Sequence, residues 1–212
     1  MKRAELRPES APHTLIKGVR RAWPLWVFML AVGVLEFAGG DAARHALRFD
    51  RAAILDGQWW RLLSGHLVHL GAHHMLLNLA ALLLGYLLCG DVFDFGRWLL
   101  ILLGSMLGIG LGLLLFDPGL VWYVGLSGAL HGLLAAGALA LIRRREGVGW
   151  ALLVLLVGKL VWEQTAGPIP WTAAASGGPV VVDAHFYGAL SGTAMYALLR
   201  LWAAGRRTDA AK

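Results

Sequence analysis

At 212 residues, 58% hydrophobic and 15% charged, the chain has the composition of a polytopic membrane protein, not of a soluble globule. Its net charge of +6 would suit nucleic acid, but most of the basic residues gather at one set of helix ends, which is an orientation signal and argues against that role. Cys89 is the only cysteine, so neither an internal disulfide nor a cysteine-based metal cage is expected.

Residues 1–22 form a basic leader containing Lys2, Arg3, Arg7, Lys17, Arg20 and Arg21, expected to be disordered or interfacial. A first apolar span follows over residues 23–38. Glu36 near its end and the length of the leader favour a retained helix over a cleaved signal. The connection 39–65 is the longest; it carries Asp41, Asp50, Asp56 and the pair Trp59-Trp60, which suits an anchor at the headgroup level. Further spans are expected over residues 67–90, 98–116, 124–142, 149–162 and 184–201, since a hydrocarbon core about 30 Å thick needs about 20 apolar residues. Asp117-Pro118-Gly119 marks a turn, and the proline- and glycine-rich stretch 167–179 a flexible connection.

Arg97, Arg143, Arg144, Arg145, Arg200, Arg206, Arg207 and Lys212 fall on the leader's side of this arrangement, and Arg44, Arg48, Arg51 and Arg61 on the other. By the positive-inside rule both termini are cytoplasmic. The expectation is an all-α membrane protein: a leader over 1–22, one six-helix domain over 23–203 and a cytoplasmic tail over 204–212.

Polar residues inside the spans fall in one layer. At about 1.5 Å per residue, Ser127 lies roughly 24 Å above Arg143, and His185 roughly 22 Å above Arg200. In the second span His74 and Asn78 lie roughly 26 and 20 Å above Asp91, and as i and i+4 they share a face. Interhelical hydrogen bonding, worth about 0.6–2 kcal/mol per contact, explains one or two such residues but not four at one level. Gly128 and Gly132, and Gly188 and Gly192, form two small-residue faces on which helices can approach closely. Packed together, those faces would bring the Ser127 hydroxyl to the His185 imidazole, the geometry of an activated nucleophile.

His74-Met75-Leu76-Leu77-Asn78, Gly125-Leu126-Ser127-Gly128 and Ala184-His185-Phe186-Tyr187-Gly188, in this order, resemble the rhomboid intramembrane serine proteases. The compact form, with Trp60-Arg61-Leu62-Leu63-Ser64-Gly65-His66 and Ala129-Leu130-His131-Gly132, is most similar to the bacterial rhombosortase branch. The resemblance implies a rhomboid-like bundle in which Ser127 is the nucleophile and His185 the base. His74, Asn78 and the Ser127 backbone N–H would stabilise the oxyanion. It implies no cofactor or metal, and a bacterial inner-membrane protein with its active site open to the periplasm. The partners it implies are the lipid bilayer and the Gly-Gly-containing transmembrane C-terminal tails of exported proteins. His131 stands where rhomboids often carry an aromatic ring supporting the catalytic histidine.

Three other readings are weighed against this one. Lys159, at the same depth, would replace His185 as base in a Ser–Lys peptidase; Glu163, four residues on, favours an ion pair instead. His66, His69, His73 and His74 suggest zinc, but no His-Glu-x-x-His helix accompanies them, and hydrogen bonding to loop backbone or water is favoured. A catalytically inactive membrane-protein-binding module is the third. Asp183 is expected to cap the sixth helix and not to act as a third catalytic group.

Overall fold

A computed structural model describes residues 11–209, so the expectations for residues 1–10 and 210–212 lie outside the described part. The first helix, α1 (Ala11–Val34), begins well before the expected span, because Leu15, Ile16 and Val19 already recur at helical spacing. A π-helical turn (Leu35–Gly39) joins it to α2 (Gly40–Leu47). Glu36 lies in that turn and pairs with Arg44 at 3.5 Å, which explains how a carboxylate is tolerated at the end of an apolar helix.

The long connection then forms β1 (Phe49–Asp50), α3 (Arg51–Leu55), α4 (Arg61–Ser64) and a 3-10 turn (Gly65–Leu67). Helices α5 (Ala72–Cys89) and α6 (Phe95–Phe116) follow, then β2 (Trp122–Tyr123), α7 (Ser127–Arg143) and α8 (Gly147–Ala166). The chain ends with α9 (Pro170–Ser176) and α10 (Val182–Asp209). Among the described residues, four helical segments can cross a membrane by length and composition: Ala22–Leu47, α5, α6 and α8. α7 is apolar but only 17 residues long, and the 28-residue α10 carries charges at both ends. The result is a mostly helical, multi-pass membrane bundle.

α7 is its centre, packed against α5, α6, α8 and α10. Ile101, Leu102, Ile109, Leu113, Leu126 and Leu141 are fully buried, while Leu84, Leu87, Leu115, Leu155 and Leu198 point outward, where lipid is the matching solvent. Helices α7 and α10 meet through their glycines. A Cβ on Gly128 would lie 2.5 Å from the Ala184 carbonyl oxygen, and one on Gly132 2.6 Å from that of Gly188. Such contact leaves no room for a side chain and lets dispersion act between the two backbones themselves.

The arginines of the long connection are consumed locally. β1 pairs antiparallel with β2, Phe49 opposite Tyr123 and Asp50 opposite Trp122. Next to this pair, Arg51 donates to the carbonyls of Leu113, Leu114, Asp117 and Leu120, satisfying the orphaned C-terminal end of α6 with a cation. Arg48 bonds Asp50 at 2.8 Å, and Arg61 donates to the carbonyls of His45 and Arg48.

One expectation is corrected: the stretch 167–179 is not wholly irregular, since Pro170 opens α9 and Gly177, in the left-handed region at φ 73°, closes it. His66, His69 and His73 share no continuous helix, because helix is interrupted between the 3-10 turn and Ala72.

Candidate active site

Ser127 is the first residue of α7, so its hydroxyl sits where the helix stops and the chain turns back toward β2. Gly125 makes that turn at φ 124°, a conformation that a residue with a Cβ rarely adopts. The Gly125 peptide is fixed on both sides: its N–H donates to the Gly65 carbonyl at 3.0 Å, and its own carbonyl accepts from the Tyr123 hydroxyl at 2.7 Å. His66 lies behind it, with Nδ1 3.3 Å from the Gly125 carbonyl and Nε2 3.0 Å from that of Met106.

Burial lowers the His66 pKa to about 4, opposed only partly by those backbone carbonyls. The folded value lies below that of the unfolded chain, so the neutral ring contributes stability above pH 6.5 that is lost as pH falls toward 4. The loss amounts to about 3 kcal/mol at full protonation. Thermal unfolding in detergent should therefore fall over that window in the wild type and less steeply in His66→Gln. Parallel declines in the two proteins would assign the acid sensitivity to other groups.

On α10, His185 projects toward the start of α7 because the Gly128 and Gly188 backbones are in contact. Its Nε2 lies 2.9 Å from Ser127 Oγ, within the reach that proton transfer requires. His131, one turn along α7, anchors its Nδ1 on the Ser127 carbonyl at 2.7 Å. Its ring stacks on His185 with centroids 4.2 Å apart and an interplanar angle of 17°. His185 is thus confined between a flat neighbour and its serine.

The opposite wall comes from α5. His74 Nδ1 accepts the Leu70 N–H at 3.4 Å, which leaves Nε2 as the protonated nitrogen, and the ring lies against Gly125. His69, fully buried, packs edge-on against His74 with centroids 5.2 Å apart. Asn78 donates one amide N–H to the His74 carbonyl at 3.1 Å and keeps a second donor free to serve the cavity it lines. Ser127, His131, His185, His74 and Asn78 share this cavity of about 630 Å³, whose other walls include Tyr123, Val124, Thr172, Ala175 and Val181. α9 forms one side and is tied to α5 by a hydrogen bond between His73 Nδ1 and the Ala175 carbonyl.

Glu163 was read from the sequence only as a partner for Lys159. That pair exists, with Lys159 Nζ 2.6 Å from Oε1, but the other carboxylate oxygen, Oε2, lies 2.9 Å from His185 Nδ1. The signal was a carboxylate at the end of an apolar span, next to a lysine one turn before it; what it lacked was the packing of α8 against α10. Asp183, expected as a helix cap, lies inside the first turn of α10 and accepts from Gln164 of α8 at 3.1 Å. The expected capping position is taken up before it, since the helix begins at Val182.

His131, Glu163 and His185 place ligand-type atoms within 4.8 Å of one another. Two stacked imidazoles direct their lone pairs along parallel planes, so they do not converge on one ion at the roughly 2.1 Å that a metal–nitrogen bond demands. Of the histidines near the entry to α5, His66 faces two carbonyls and His73 one, whereas both buried ring nitrogens of His69 have no hydrogen-bond partner among the described residues.

The Rhomboid domain matches residues 56–202. The chain is 26% identical over 136 residues to "Putative rhomboid protease YdcA" of Bacillus subtilis (strain 168), covering 61% of this chain and 68% of that protein. It is 27% identical over 132 residues to "Rhomboid protease GluP" of the same organism, covering 58% of this chain and only 26% of that longer protein. With the domain match spanning most of its length, and with the bundle and cavity described above, the chain belongs to the rhomboid family of intramembrane serine proteases.

Proposed function

We propose that the protein cleaves a transmembrane segment near its extracytoplasmic end with a Ser127–His185 dyad, and that its substrates are the Gly-Gly-containing C-terminal tails of exported proteins, as in rhombosortases. The observation that carries the reading is the 2.9 Å contact between Ser127 Oγ and His185 Nε2 on the wall of a cavity. As His185 Nε2 takes its proton, Ser127 Oγ bonds to the scissile carbonyl carbon. The resulting oxyanion is met by the Ser127 backbone N–H, His74 Nε2–H and the Asn78 amide, each donor of a kind worth about 10²–10³ in rate. The imidazolium then protonates the leaving amine as the C–N bond breaks. Water attacks the acyl-enzyme, giving its proton to His185, which returns it to Ser127.

In this reading the domain spans the bacterial inner membrane six times, with α7 and α10 as the fourth and sixth spans. Both termini are cytoplasmic, and the cavity faces the periplasm. Basic residues at the Arg97, Arg143–Arg145 and Arg200 ends support that orientation, and the external arginines are accounted for by the loop they brace. A half-buried hydroxyl on a cavity wall suits an unwound substrate segment with small side chains.

A lysine base is disfavoured because Glu163, 2.6 Å from the Lys159 ammonium, favours its charged form, which has no lone pair to take a proton, while His185 Nε2 is the group 2.9 Å from Ser127 Oγ. The test is purified protein in vesicles with two tails, one bearing Gly-Gly ahead of its apolar stretch and one with those glycines replaced by leucine. Cleavage of the first at least tenfold faster supports the branch. Equal cleavage leaves a general rhomboid protease, and binding without cleavage of either leaves the inactive module.

A further inference from the structure

From the contact of Glu163 with both Lys159 and His185, we infer that Glu163 is a positioning residue for catalysis, making the site a serine–histidine–glutamate array locked by a lysine. The inference rests on the Ser127–His185 reading and extends it to α8. Glu163 is 1% exposed, and each of its oxygens has one partner: Oε1 takes the Lys159 ammonium at 2.6 Å and Oε2 faces His185 Nδ1 at 2.9 Å. A carboxylate in this place accepts only, so Nδ1 must carry the proton. Lys159 Nζ also lies 3.4 Å from Nδ1, but an ammonium has no lone pair to offer and cannot compete for that proton. With Nδ1 protonated, the lone pair of the neutral ring is on Nε2, directed at Ser127 Oγ. The same carboxylate lies beside the positive charge that forms on His185 when the serine gives up its proton. Lys159 in turn fixes which oxygen faces which partner, since Glu163 is four residues on along the same helix face.

This wiring makes an unusual demand on substitution. In Glu163→Gln the side chain has one acceptor and one donor, and the Lys159 ammonium selects the acceptor. The amide NH₂ is left facing His185 Nδ1, which must then accept, so the ring proton moves to Nε2 and the base is lost. Removing the ammonium as well, in Lys159→Met/Glu163→Gln, lets the amide turn over and present its oxygen to Nδ1–H. In Lys159→Met/Glu163→Leu no acceptor remains, and the apolar pair suits a membrane helix.

The experiment measures kcat and KM for cleavage of a fluorogenic transmembrane tail by the full chain in detergent, with thermal unfolding of each variant alongside. Glu163→Gln and Lys159→Met/Glu163→Leu are expected to lose about 10²–10⁴ in kcat, up to the loss of about 10⁴ that a catalytic histidine in the wrong tautomer brings, with KM changed less than threefold. Lys159→Met/Glu163→Gln is expected to recover at least tenfold over Glu163→Gln, a gain that a merely structural carboxylate would not produce. Activity within threefold of wild type in the leucine double variant would overturn the inference. So would a folded glutamine double variant no faster than Glu163→Gln. Ser127→Ala is run in parallel: if it still cleaves, the serine–histidine reading itself has failed, a result distinct from any failure at Glu163.

Discussion

Ser127→Ala and His185→Ala should each lower kcat by about 10⁴–10⁶ while leaving thermal unfolding and tail binding close to wild type. The size of the effect follows from the interdependence of the two groups. A hydroxyl without a base is a weak nucleophile, and an imidazole that has lost the hydroxyl 2.9 Å away has no proton to take. The losses should not add: the double variant is expected to be no slower than the worse single one, because either change removes the same step. The measurement is release of a labelled fragment from a transmembrane tail over hours, which reaches rates far below wild type. Near-normal cleavage by His185→Ala together with loss in Lys159→Ala would transfer the role of base to the lysine.

Gly188→Val is expected to abolish activity and to destabilise the bundle by about 3 kcal/mol or more. A Cβ at this position would run into the Gly128 carbonyl, 2.6 Å from its carbon, and neither partner is a side chain that can swing aside. The helices must separate at the one crossing that fixes the distance from Ser127 to His185. Activity should thus fail even in conditions where the variant still folds. Gly158→Val, on α8 where a Cβ meets nothing within 4 Å, is the control and should unfold within a degree or two of wild type. Equal behaviour of the two variants would mean that the α7–α10 approach is not what sets the geometry.

What was legible in the sequence was legible for physical reasons. Helices announce themselves by length and apolarity, and polar residues within them by their cost, so Ser127, His185, His74 and Asn78 could be placed at one depth by counting residues. The glycine pairs likewise told which faces allow backbones to touch. What was not legible depends on which helices become neighbours. Glu163 and Lys159 read as a local i, i+4 pair because that spacing is visible in one helix, whereas the reach of Glu163 to His185 crosses from α8 to α10. The histidines at the entry to the second span raise zinc as a rival to backbone hydrogen bonding because residue type is visible in a sequence and the facing carbonyls are not. His66 in fact stands behind Gly125 and helps hold the turn that presents Ser127. The arginines Arg44, Arg48, Arg51 and Arg61 counted against the charge bias as bare numbers, and only their carbonyl and carboxylate partners show why that side tolerates them.

The brevity of α7 acts as a ruler. Its 17 residues rise roughly 25 Å, less than the hydrocarbon thickness of about 30 Å, and Ser127, the proposed nucleophile, is its first residue. A polypeptide lying alongside the bundle therefore offers its bonds to Ser127 at one altitude only, fixed by how far the helix stops short of the surface. Lengthening or shortening the substrate's hydrophobic stretch should slide the scissile position along its sequence, with the cut staying at constant height.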